Sequence, residues 1–179
     1  PRERPAPRGH VFRRHSRVGA QFPAQLCVRV ERHVLEWCFD DDGRVDIARG
    51  VADGKVRVFL NTGFQPFREA GAETGISAAA GADARLAVAD YDNNGTFDVL
   101  VAGTQSASLW RNAGNARFRE DRRSTAALQA VRGGAGDVRF VEYDNDGWLD
   151  LAGVSERGMA LLRNVGDGRF ENQTRLLPT

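Results

Sequence analysis

Histidine is missing from most of this chain. His10, His15 and His33 are its three copies, all near the start. No Ser/His/Asp or Cys/His set can therefore be assembled beyond residue 33, which argues against catalysis. Cysteine is nearly absent too. Cys27 and Cys38 alone offer no zinc-ligand spacing and no disulfide framework from which to read a redox compartment. Lysine is reduced to Lys55, so arginine carries almost all the positive charge. No apolar run approaches the 18 or so residues of a membrane helix, and no secretory signal is visible. What remains is ordinary for a globular protein: 179 residues, 41% hydrophobic and 27% charged, enough for a sizeable core.

The formal net charge of +1 hides an asymmetry. Residues 1–33 hold eight arginines against Glu3 and Glu31, about +6, which leaves about −5 for the rest. This segment, with Pro1, Pro5, Pro7 and Pro23, shows neither strand nor helix periodicity. It reads as a basic, poorly ordered lead-in. No aromatic interleaving of the kind that stacks bases accompanies the charge, so a nucleic-acid arm is not expected.

Beyond residue 33 one nine-residue pattern recurs. It reads Asp90-Tyr91-Asp92-Asn93-Asn94-Gly95-Thr96-Phe97-Asp98, with oxygen-bearing side chains at positions 1, 3, 5 and 9 and glycine at position 6. The pattern returns as residues 142–150 and occurs earlier as residues 38–46. Gly43, Gly95 and Gly147 are spaced by 52 residues and then by 52 again. A hard cation such as calcium takes six to eight oxygen ligands, and a tight loop with glycine at its bend can aim several at one point. Carboxylates crowded into one turn also repel each other unless a cation offsets them.

The flanks alternate with period 2. Leu86 and Val88 precede the second loop, Val138 and Phe140 the third, while Phe97 and Val99 flank Asp98. That spacing predicts a β-hairpin around each loop. In the second copy strands are expected over 86–90, 97–102, 106–112 and 117–120. Each copy closes on Asn-x-Gly followed by a phenylalanine: Asn61 to Phe67, Asn112 to Phe118 and Asn164 to Phe170. The asparagine and glycine supply a turn, and the phenylalanine anchors a last strand. The helix-loop-helix calcium hand is excluded. Its position-12 glutamate is replaced by Arg49, Val101 and Gly153, and the flanks are not helical. WD40 signatures are absent. Four antiparallel strands in a repeat of about 50 residues describe a β-propeller blade.

These residues resemble FG-GAP/VCBS repeats, the blades of integrin α-subunit propellers and of many bacterial surface and secreted proteins. The resemblance rests on the loops at 90–98 and 142–150 and on closings such as Asn164-Val165-Gly166-Asp167-Gly168-Arg169-Phe170. It covers about residues 34–174 and lies nearest the VCBS form, including ASPIC/UnbV-type proteins. It implies an all-β fold of three four-stranded antiparallel blades, part of a larger propeller. The expected divisions are a lead-in (1–33), blade 1 (34–70), a link (71–84), blade 2 (85–121), a link (122–136), blade 3 (137–174) and a tail (175–179).

The resemblance also implies ligands for Ca2+. In the second loop these are Asp90, Asp92, Asn94 and Asp98 with the Thr96 carbonyl. In the third they are Glu142, Asp144, Asp146 and Asp150 with the Trp148 carbonyl. The first offers Asp40, Asp42, Asp46 and the Arg44 carbonyl, but Cys38 stands where a carboxylate is usual. A thiol suits a hard cation poorly, so two sites are expected and a third that is weaker or empty. The implied function is non-catalytic binding or adhesion outside the cytoplasm, at a cell surface, in the periplasm or secreted. The ligand is an unidentified protein or carbohydrate. Alternatives are a lectin-type propeller, with Trp37, Trp110 or Trp148 stacking on sugars, or an accessory domain of a secreted enzyme. Three blades fall short of the usual four to eight. Further blades of a parent chain, or self-association through exposed edges, are therefore expected.

Overall fold

The computed structural model describes residues 34–50, 55–63, 67–133, 136–155 and 157–177. The lead-in lies outside them. Among the described residues twelve strands form three sheets, each with its strands in chain order and every neighbour antiparallel. The first sheet contains β1 (Val34–Trp37), β2 (Asp46–Gly50), β3 (Val56–Leu60) and β4 (Arg68–Glu69). In the second are β5 (Arg85–Ala89), β6 (Asp98–Ala102), β7 (Ala107–Asn112) and β8 (Phe118–Asp121). The third has β9 (Asp137–Val141), β10 (Asp150–Ser155), β11 (Gly158–Asn164) and β12 (Phe170–Asn172). These are three propeller-type blades.

Register places each acidic loop at the same joint. The position-9 aspartate opens the second strand and pairs with the last residue of the first: Trp37 with Asp46, Ala89 with Asp98, Val141 with Asp150. The loop is thus the connection of the first hairpin of each blade.

Blades pack face to face, and the core lies between them. One cluster joins blades 1 and 2 through Phe39, Val58, Val99, Val101, Trp110 and Phe118. A second joins blades 2 and 3 through Tyr91, Leu100, Leu109, Leu128, Leu151 and Phe170. Successive residues of a strand point to opposite faces, so β6 sends Val99 and Val101 into one cluster and Leu100 and Ala102 into the other. Every residue of β6 is buried. Period 2 here separates two buried faces rather than a wet face from a dry one.

The links are also structured. A 3₁₀ turn covers Gly71–Thr74, and α1 (Thr125–Leu128) runs into a second 3₁₀ turn, Gln129–Val131. Ala78, Ala80 and Ala84 of the first link, and Leu128 and Val131 of the second, complete the two clusters. One sequence expectation fails here. Phe118 and Phe170 are buried anchors, but Phe67 is 44% exposed and precedes the two-residue β4. The reason is positional: each buried phenylalanine packs on the blade before its own, and blade 1 has no such neighbour among the described residues. No helix among the described residues is long and apolar enough to cross a membrane.

Candidate metal centre

The three loops share one backbone path. Position 4 is left-handed at Asp41 (φ 63°), Asn93 (55°) and Asn145 (60°), and so is position 6 at Gly43 (80°), Gly95 (89°) and Gly147 (88°). Aspartate and asparagine tolerate that region better than other side chains, and glycine adopts it freely. Two hydrogen bonds set the curl. The position-6 N–H donates to the position-1 side chain: Gly43 to Cys38 Sγ at 3.3 Å, Gly95 to Asp90 Oδ2 at 2.9 Å, Gly147 to Glu142 Oε2 at 2.8 Å. The position-7 N–H donates to position 5: Arg44 to Asp42 Oδ1 at 2.8 Å, Thr96 to Asn94 Oδ1 at 2.7 Å, Trp148 to Asp146 Oδ1 at 2.9 Å. Glutamate at 142 therefore keeps the position-6 bond that Asp90 makes, though Asp90 also accepts from the position-5 N–H of Asn94 at 2.9 Å.

The position-9 aspartates are fully buried and bracket the blade. Asp98 Oδ2 accepts from Tyr91 N at 3.3 Å and Oδ1 from Asn112 N at 2.8 Å. Asp150 does the same with Tyr143 N (3.2 Å) and Asn164 N (2.7 Å), and Asp46 with Phe39 N (2.7 Å) and Asn61 N (2.9 Å). Each one fastens its loop to the Asn-x-Gly turn.

Three groups bring candidate ligand atoms within 4.8 Å of one another: Cys38, Asp40 and Asp42; Asp90, Asp92 and Asp98; Glu142, Asp144 and Asp146. Asp46 and Asp150 lie outside their groups. Asn94 holds Thr96 through both its N–H and its Oγ1, the latter at 2.5 Å. Arg44 pairs with Asp42 and donates from Nε to Asn61 O at 2.6 Å. Trp148 lies partly buried beside Gly166. Glu142 Oε1 is a buried side-chain oxygen without a hydrogen-bond partner, whereas Asp92 Oδ2, buried in the other all-oxygen loop, is met by the Arg111 guanidinium. Carboxylate oxygens gathered this closely suit a hard cation. The first group offers a thiol instead. Burial foremost pushes the Cys38 thiol above its ordinary range, which keeps it neutral and a poor ligand.

Arginines counter the carboxylates. Arg111 pairs with Asp92, and Arg163 bridges Asp144 (Nε, 2.5 Å) and Asp146 (2.9 Å). The loop sequences alone do not reveal this role, because both arginines come from the third strand of the blade. The doublets Arg111-Asn112 and Arg163-Asn164 were the available signal.

Burial also governs protonation. Asp98 is pushed up to about 8, above all by desolvation and then by the charges of Asp92 and Asp90, against its two N–H bonds. Asp46, Asp90 and Asp150 move the same way, each with burial as the leading cause. A carboxyl raised in the folded state holds a proton that the unfolded chain releases, so its contribution is present at low pH and is lost as pH rises. The melting temperature of chelator-treated protein should fall by several degrees between about pH 5 and about pH 8. A thermal melt series checks this, and a profile that rises across that window contradicts it.

A family model described as FG-GAP-like repeat matches residues 39–101 and 90–153. Among solved structures, a lectin of Agrocybe aegerita, described for specific recognition of non-reducing terminal N-acetylglucosamine, aligns with a TM-score of 0.52 at 20% identity. The alignment covers 78% of this chain and 37% of the lectin, so the chain spans little more than a third of that protein. A search of curated proteins finds no match.

Proposed function

The chain belongs to the FG-GAP-like repeat family, and from that premise we propose that it is a calcium-stabilised binding module of propeller type. It works without catalysis, outside the cytoplasm, in recognition or adhesion. The observation that carries the calcium reading is the pair of all-oxygen loops, in each of which three carboxylates bring candidate ligand atoms within 4.8 Å of one another. Asp90, Asp92 and Asp98 would hold one ion, and Glu142, Asp144 and Asp146 the other. The bound ion supplies positive charge where the carboxylates converge. The residues of the loop hold those oxygens together, and Asp98 and Asp150 tie the loop to the turn. The role is structural, with an affinity on the order of 10⁻⁴–10⁻³ M, as in extracellular calcium modules.

Variants divide the sites. Asp92→Ala and Asp144→Ala should each remove about one calcium equivalent in a calorimetric titration, while Asp40→Ala changes little. Equal loss at all three loops would mean that Cys38 is no handicap. Arg163→Gln should tighten binding severalfold, because the arginine and the ion compete for the same carboxylates. Unchanged affinity would rule out that competition.

A second reading is carbohydrate binding, which the fold of the lectin favours. Trp110 is buried, with Nε1 donating to Ser108 Oγ at 2.9 Å, and so is not free to stack on a sugar. A polar groove of about 500 Å³ lined by Glu73, Asn115, Arg117 and Arg119 is the place to look. Glycan-array binding lost in Arg117→Ala would support this reading, and a blank array would count against it.

A further inference from the structure

The two contacts between blades follow one rule. Phe39 meets Phe118 edge-on at 5.7 Å, and Asn112 Nδ2 donates to Phe39 O at 2.9 Å. One blade further on, Tyr91 meets Phe170 at 6.0 Å, and Asn164 Nδ2 donates to Tyr91 O at 2.9 Å. The aromatic residue at loop position 2 thus receives the closing phenylalanine and the turn asparagine of the next blade. All four rings are buried.

A third copy of each half is left over. Tyr143, the position-2 residue of the last loop, is 40% exposed, and Phe67, the closing phenylalanine of blade 1, is 44% exposed. The surroundings agree. On blade 2, Ala102 and Ala107 pair across β6 and β7 and are buried in the cluster shared with blade 3. Their counterparts on blade 3, Val154 and Met159, pair across β10 and β11 and stand 52% and 59% exposed. Blade 3 therefore ends in an uncovered apolar face, and blade 1 begins with an uncovered phenylalanine. These are the two opposite halves of one contact.

We propose that a second copy of this chain covers both ends, head to tail, with blade 3 of each copy receiving blade 1 of the other. The occupant follows from continuity with the two interfaces already present within the chain. An interface that joins two different surfaces builds a ring when its rotation closes. The described residues of two chains bring six blades, within the range of four to eight that propellers use. The assembly is a closed dimer with two equivalent contacts.

Sedimentation velocity of the full chain over a concentration series tests it. Wild type should sediment with twice the 19.6 kDa of one chain. Met159→Glu and Phe67→Glu, exposed positions at opposite ends, should each give monomer. Mixed together they should recover a dimer, because blade 3 of the Phe67 variant and blade 1 of the Met159 variant are both intact. That recovery also requires both variants to be folded. Wild type that stays monomeric throughout, Phe67→Glu that dimerises like wild type, or failure of the mixture to associate would overturn the proposal. Neither substitution touches a loop oxygen, so calcium stoichiometry fails or holds independently.

Discussion

Tyr91→Ala should lower stability by about 3–5 kcal/mol, the range for truncating a buried aromatic side chain. For a chain of this size the melting temperature should fall by roughly 10 °C. Tyr91 sits at the joint of blades 2 and 3. Its ring is fully buried, stacks on Phe140 with centroids 6.3 Å apart and planes 9° from parallel, and tilts against Phe170. Its hydroxyl donates to Asp121 Oδ2 at 2.8 Å. Tyr91→Phe keeps the ring and removes only that bond. Asp121 would still accept from Arg123 Nε at 2.9 Å, so the phenylalanine variant should lose only about 1 kcal/mol. Urea unfolding of both variants separates packing from polar contribution. Equal losses would mean that the hydroxyl, not the ring, holds the joint.

Asn164→Ala is the other large effect. Asn164 is fully buried, and its Nδ2 donates to Tyr91 O at 2.9 Å and to Leu149 O at 3.2 Å, while Oδ1 accepts from Gly166 N at 3.1 Å. Alanine strands three backbone groups, each worth about 1–3 kcal/mol when buried without a partner. Relaxation will recover part of this, so a net loss of about 3 kcal/mol is expected. Asn112→Ala should behave alike, since Asn112 bonds Phe39 O, Phe97 O and Gly114 N in the same pattern. Asn61→Ala is the internal control. Asn61 is only partly buried, and its loss should be clearly smaller. Thermal melts of the three alanine variants give the order, and a loss for Asn61→Ala as large as the others would contradict the role of these asparagines in joining blades.

These joints mark where sequence reading ended. In the second copy, strands expected over 86–90, 97–102, 106–112 and 117–120 appear at 85–89, 98–102, 107–112 and 118–121. Turn residues and β-branched alternation are local signals, so they survive in a one-dimensional reading. The contact of Asn164 with Tyr91 spans 73 residues, and no local pattern announces it; the asparagine reads only as a turn former. The same holds for the arginines. Arg163 reaches Asp144 across 19 residues because β11 lies beside the loop, a consequence of register alone. The position-9 aspartates read as ligands, yet both oxygens of Asp98 also hold backbone N–H groups. Sequence spacing could place those carboxylates at the loop but could not show their second duty. The links read only as connections between blades, but Leu128 and Val131 plug a core whose other wall lies on a blade that comes later in the chain.

The central claim is that two of the three loops hold calcium and that the ions stabilise the blades. Calorimetric titration of chelator-stripped protein, with melting temperature followed in parallel, tests it most directly. The account predicts about two equivalents and a melting temperature that rises with calcium concentration, as it must for a ligand that binds only the folded state. No heat and no shift at millimolar calcium would contradict it, leaving arginines as the sole counter-charges of the loops.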